Sequence, residues 1–81
     1  MNLDGLLEKI PETLDELRVR VYYALERHPL CRGVEFDIIR MPRTRKTNWT
    51  VNLHSVPRGA LFEANEIVSD IQEAYELAAA A

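Results

Sequence analysis

The side chains of this chain that are best suited to catalysis or metal binding are His28, Cys31 and His54. A structural zinc site needs four ligands, and beyond these three the sequence offers only scattered carboxylates. A thiol nucleophile needs an orienting base and oxyanion-hole donors, and no motif of that kind accompanies Cys31. Glu35, Asp37 and His54 share one face of a predicted hairpin, but a flat, wet surface lacks the pocket that perturbs pKa values for acid–base work. We therefore expect no enzyme activity, no metal and no cofactor.

Four cations stand close together between two predicted strands. They are Arg40, Arg43, Arg45 and Lys46. The formal net charge of the chain is −3, yet residues 31–59 contain six basic and two acidic residues. A basic hairpin turn beside an aromatic such as Trp49 can contact phosphates and stack on a base. The other interpretation is a solvated loop or a loop that pairs with an acidic protein surface.

Acidic residues dominate the end of the chain, where residues 60–81 contain five carboxylates and no Lys or Arg. Four of them recur at helical spacing: Glu63, Glu66, Asp70 and Glu73. Like charges at this spacing form one stripe on a helix. The stripe is either a solvated face or a docking strip for basic groups, such as the hairpin arginines of the same chain or of a second copy.

A small apolar patch is predicted on the first long helix, away from its core stripe. Val19 and Tyr23 are four residues apart, and Tyr22 lies beside them. Single exposed apolar residues mean little, but adjacent ones form a patch suited to a partner helix.

That first long helix is predicted to begin near Pro11 to Thr13 and to end by His28. Thr13 and Glu16 have the spacing of a capping box, and Pro29 prevents the helix from continuing. Its core stripe consists of Leu14, Leu17, Val21, Ala24, Leu25 and His28. A short helix before it is suggested by the spacing of Leu3, Leu6, Leu7 and Ile10.

Two strands follow, because the apolar period changes from helical to two. The residues predicted to face the core are Val34, Phe36, Ile38, Trp49, Val51 and Leu53. Since opposed residues share a face, opposed numbers must sum to an odd value. We place Phe36 opposite Val51, which leaves residues 41–46 as the turn of an antiparallel hairpin.

A long final helix is predicted from Ala60 onward. Its apolar positions are Ala64, Ile67, Val68, Ile71, Ala74, Tyr75 and Ala78. The order is then helix, strand, strand, helix, in the α+β class, with both helices packed on one face of the hairpin. We expect Trp49, Phe36, Leu17, Val21, Ile67 and Ile71 to be buried together.

The 81 residues are enough for one domain, which we place at 1–81. No apolar run approaches a membrane span, and a lone cysteine fits a reducing compartment, so we expect a cytoplasmic protein without membrane contact. So small a domain is marginally stable alone, which favours oligomerisation.

The second half of the chain resembles small uncharacterised bacterial proteins of similar length. The resemblance is carried by Asn48-Trp49-Thr50-Val51, Glu63-Ala64-Asn65-Glu66-Ile67-Val68 and Ile71-Gln72-Glu73-Ala74-Tyr75. It implies a bacterial, intracellular origin, and it brings no known activity to this chain. From the residues we expect a non-enzymatic interaction module that forms a homodimer and binds a macromolecular partner. The alternative is a nucleic-acid-binding domain that uses the basic turn 40–46.

Overall fold

Short strands flank both helices of this chain. The computed structural model describes residues 9–79. In chain order the elements are strand β1 (Ile10–Glu12), helix α1 (Leu14–Glu26), a 3-10 turn (Pro29–Cys31), strands β2 (Glu35–Arg40) and β3 (Trp49–Ser55), helix α2 (Leu61–Ala74) and strand β4 (Tyr75–Leu77). The α+β class and the antiparallel hairpin β2–β3 are confirmed, and β1 and β4 form a second, parallel pair that the sequence reasoning missed. Of the short first helix, Leu3, Leu6 and Leu7 lie outside the described residues, while Ile10 belongs to β1.

Helix α1 begins at the predicted capping box. The Glu16 backbone N–H donates to Thr13 Oγ1 at 3.1 Å, and the Thr13 N–H donates to Glu16 Oε1 at 2.8 Å. The helix ends at Glu26, and Pro29 then opens the 3-10 turn, where its fixed φ and missing N–H cost nothing. The chain turns into β2 at Gly33, whose φ of 85° is accessible to glycine without steric cost.

The register of the hairpin differs by two residues from the predicted one. Phe36 lies opposite Leu53, and Ile38 lies opposite Val51. The predicted parity was correct, so the apolar residues of both strands still share a face. The loop accommodates this shift, and within it the Thr44 N–H donates to the Thr47 carbonyl at 2.8 Å.

 The Met41 N–H donates to the Asn48 carbonyl at 3.0 Å, and the loop between β2 and β3 spans residues 41–48, two residues more than the predicted turn.

The C-terminal segment corrects the prediction of one long final helix. Helix α2 ends at Ala74, and Tyr75–Leu77 pairs in parallel with β1, with Ile10 opposite Tyr75 and Glu12 opposite Leu77. Tyr75 and Ala78 therefore do not continue the helical stripe. The indole N–H of Trp49 donates to the Tyr75 carbonyl at 3.1 Å, and this bond favours the extended backbone at the point where the helix stops.

The core is one cluster with buried residues from both helices, the 3-10 turn, the hairpin and β4. Its largest fully buried side chains are Trp49, Leu17, Leu25, Val21 and Cys31. Helix α2 contributes Ala64, Val68 and Ile71, while Phe36 and Ile67 are half-buried against this cluster. The predicted core residues thus pack together, with Phe36 and Ile67 at its margin.

Candidate interaction surface

Three large side chains of α1 project away from the core. Val19, Tyr22 and Tyr23 are 54%, 48% and 61% exposed. The two tyrosine rings meet edge to face, with centroids 5.3 Å apart. We call these three residues the tyrosine face. They are exposed because Leu17, Val21 and Leu25 occupy the opposite side of the same helix, as the sequence pattern predicts.

Shallow grooves flank this face on both sides. The first groove has a volume of about 490 Å³ and runs beside Val19 and Tyr23 from Glu16 to Arg27. The second has a volume of about 460 Å³ and reaches from the same two residues to Phe36 on β2. Val19 and Tyr23 line both grooves, so they form a ridge between two depressions. A ridge with adjacent grooves is the shape that packs against another helix.

One wall of the first groove is fixed by an ion pair. Arg20 Nε lies 2.5 Å from Glu12 Oε1, and the guanidinium stands 4.0 Å from the centre of the Tyr75 ring. Glu12 is buried, and its hydrogen bond raises the pKa of Arg20. This arrangement joins β1, α1 and β4. Sequence reasoning missed it because these residues come together only when β1 pairs with β4.

Two of the four basic side chains of the turn are paired with other residues of the chain. Arg40 Nη2 donates to the Ala78 carbonyl at 2.6 Å, and Arg43 Nη2 lies 2.9 Å from Glu76 Oε2. Arg45 and Lys46 are exposed, and their side chains have no hydrogen-bond or ion-pair partner within residues 9–79. Arg40 and Arg43 therefore contact Ala78 and β4, whereas the sequence suggested the acidic stripe of α2 as a docking strip for the hairpin arginines.

Lys9 adds a third cation near β4. Its Nζ is buried and has no hydrogen-bond partner in the described part of the chain. Burial and the nearby charge of Arg43 lower the pKa of Lys9, while Glu76 and Glu73 oppose that shift. The carboxylate of Glu76 thus offsets part of the positive charge around β4.

The acidic stripe of α2 is mostly free of cations. Glu66, Asp70 and Glu73 are exposed and form no ion pair with another described residue. Glu63 is half-buried, and its Oε2 lies 3.8 Å from His28 Nε2. Beside the stripe stands Phe62, which is 69% exposed and which sequence reasoning did not single out. Its position outside the apolar stripe of the helix is the signal that could have revealed it.

The chemically versatile side chains lie apart from one another. His54 Nε2 and Asp37 Oδ2 are 2.5 Å apart on the open face of the hairpin, where both side chains are exposed. Cys31 is buried, and burial raises the pKa of its thiol, which disfavours the nucleophilic thiolate. Across residues 9–79 no three His, Cys, Asp or Glu side chains come together as ligands for a metal ion.

No protein-family model, curated protein or solved structure matches the chain. Within the described residues, neither α1 nor α2 has the length and apolar character needed to cross a bilayer. The interpretation of the tyrosine face therefore depends on its own geometry.

Proposed function

We propose that this protein is a non-enzymatic interaction module that self-associates through the tyrosine face and presents its remaining surface to a macromolecular partner. The observation that carries the proposal is the ridge of Val19 and Tyr23 between two grooves. Tyrosine is enriched at protein interfaces, where it contributes a large apolar area and a hydroxyl that can hydrogen-bond. A chain of 81 residues also buries a smaller fraction of its surface on folding than a large domain does, so a second copy would add stability. A lone cysteine favours a reducing cytoplasm, and we expect a bacterial one.

The alternative of nucleic-acid binding has less support. Two of the four cations of the basic turn are already paired within the chain, Arg40 with the Ala78 carbonyl and Arg43 with Glu76 of β4. Phosphate binding gains from each cation that is free to displace counterions. Trp49 is fully buried, so it does not offer a ring on which a base can stack.

Self-association is tested by placing charge on the tyrosine face. We expect light scattering to give a dimer mass for the wild type at high micromolar concentration and a monomer mass for the double variant Val19→Glu, Tyr23→Glu, because buried carboxylates oppose an apolar contact. Phe62→Glu is the matched control, since Phe62 is also a large exposed apolar side chain but lies on α2. Circular dichroism confirms that each variant folds. A monomeric wild type, or a double variant that remains dimeric, contradicts the proposal.

A further inference from the structure

The tyrosine face carries opposite charges at its two ends. Glu16 lies in the first turn of α1, Arg27 follows its last residue, and both are exposed. They are separated by about 16 Å along the helix axis, from the rise per residue. Both line the same groove as Val19 and Tyr23, so they lie on the same side of the ridge.

From this arrangement we infer that the partner of the tyrosine face is a second copy of this chain, packed with its α1 antiparallel to the first across a two-fold axis. This inference depends on the proposed self-association. Placing Val19 of one copy against Tyr23 of the other brings Glu16 opposite Arg27 of the second copy, because a two-fold axis keeps each side of the ridge against its equivalent. A parallel pair would place Glu16 level with Glu16 and Arg27 level with Arg27 on opposite sides of the ridge, so the opposite charges would not meet.

Glu35 is exposed and unpaired in the described part of the chain where it lines the second groove, while the remaining charges near the face are compensated within the chain. Arg20 is paired with Glu12 at 2.5 Å, and Asp15 is paired with Arg18 at 3.1 Å. The carboxylate of Glu26, on the far side of the ridge, accepts the Gly33 N–H at 3.0 Å.

Glu16 and Arg27 differ from these compensated groups. Glu16 uses Oε1 for the helix cap and has Oε2 free, and the Arg27 side chain makes no hydrogen bond or ion pair in the described part of the chain. Among the unpaired groups that line the two grooves, Glu16 and Arg27 are therefore the pair of opposite charge on the same side of the ridge.

A charge-swap experiment tests the antiparallel arrangement. We expect Arg27→Glu and Glu16→Lys, each alone, to raise the dimer dissociation constant about tenfold or more, because each creates two like-charge contacts per dimer. An equimolar mixture of the two variants restores dimerisation, since both contacts of the mixed dimer are then attractive. Sedimentation equilibrium measures the dissociation constant of each variant alone and of the mixture.

Matched variants separate charge effects from folding effects. Arg45→Glu makes the same substitution on the hairpin turn and should leave the constant unchanged. Glu16→Lys also removes part of the helix cap, so thermal unfolding is followed alongside, and Glu16→Gln, which keeps a capping side chain, should weaken the dimer less.

The outcomes distinguish the two proposals. If the mixture stays monomeric while Val19→Glu, Tyr23→Glu still abolishes the wild-type dimer, the antiparallel arrangement is wrong and self-association stands. If the wild type is monomeric at every concentration, both are wrong.

Discussion

The side-chain amide of Asn48 makes the two hydrogen bonds to the backbone of β4 that a neighbouring strand would otherwise make. Its Nδ2 donates to the Leu77 carbonyl at 2.8 Å, and its Oδ1 accepts from the Leu77 N–H at 3.0 Å. The N–H and C=O of one strand residue point to the same edge, so a single amide satisfies both groups. The two two-stranded sheets are joined here through a side chain instead of a backbone ladder.

Replacing Asn48 should therefore destabilise the fold more than its size suggests. We expect Asn48→Ala to lower the free energy of unfolding by about 2–3 kcal/mol, because it leaves a partly buried donor and acceptor unpaired. Chemical denaturation measures the loss. Asn52→Ala is the control, since Asn52 is exposed on the same hairpin and its side chain has no hydrogen-bond partner among the described residues. Equal losses in the two variants would contradict the role assigned to Asn48.

At the scale of the elements, strand β4 shows tertiary contacts overriding local preference. The segment that begins with Tyr75 continues the helical spacing of α2, and Glu, Leu and Ala all favour a helix. Contacts from the hairpin outweigh that preference. Arg40, Asn48 and Trp49 each bond to the backbone of residues 75–78. These bonds stabilise the strand only when the hairpin is folded.

Strand β4 shows which features of the fold can be predicted from the sequence and which cannot. The capping box at Thr13, the apolar face of the hairpin and the exposed tyrosine face were predictable because each depends on residues close together in sequence. The pairing of β1 with β4 was not, since three-residue strands have too little periodicity to detect. The hairpin register was wrong by two residues because parity constrains which face a residue occupies, and loop hydrogen bonds decide the rest.

Helix α1 should depend measurably on its capping box. We expect Thr13→Ala to lower the free energy of unfolding by about 1 kcal/mol, while Thr13→Ser preserves most of it. Thermal denaturation of the three proteins provides the comparison. A Thr13→Ala variant as stable as the wild type would show that the cap contributes nothing.

The same box makes stability depend on pH. Hydrogen bonds from Thr13 lower the pKa of Glu16 below its ordinary value of 4.5. A carboxylate whose pKa is lower in the folded state contributes stability above its unfolded pKa and loses it as the pH falls through the folded value. The wild type should therefore be more stable than Glu16→Gln at neutral pH and should lose this difference in the free energy of unfolding as the pH falls through the folded-state pKa of Glu16. Urea denaturation across the acidic range measures the difference. A constant difference at all pH values would contradict this.

At the scale of the whole molecule, one small core supports every other feature. Leu17 is fully buried, whereas Phe36 is half-buried and lines the second groove. Native domains are stable by only about 5–15 kcal/mol, so the loss of one core side chain removes a large share.

Truncation of these two residues should separate the centre of the core from its margin. We expect Leu17→Ala to lower the free energy of unfolding by about 3 kcal/mol, within the range for buried leucines. We expect Phe36→Ala to lower it by about 2 kcal/mol, which is less than a fully buried phenylalanine would lose. Each kcal/mol lowers the melting temperature by about 4–8 °C in a domain of this size. Differential scanning calorimetry measures both. A larger loss for Phe36→Ala would place the centre of the core at the second groove.

The fluorescence of the buried Trp49 indole also reports whether strand β4 is attached to the rest of the protein. The chain contains one tryptophan, so its emission has a single source. The indole ring is fully buried, and its N–H donates a hydrogen bond to the carbonyl of Tyr75, the first residue of β4. Undocking of β4 would expose the ring to water, which shifts indole emission to longer wavelength and admits a soluble quencher. The emission spectrum thus follows the attachment of three residues without any added label.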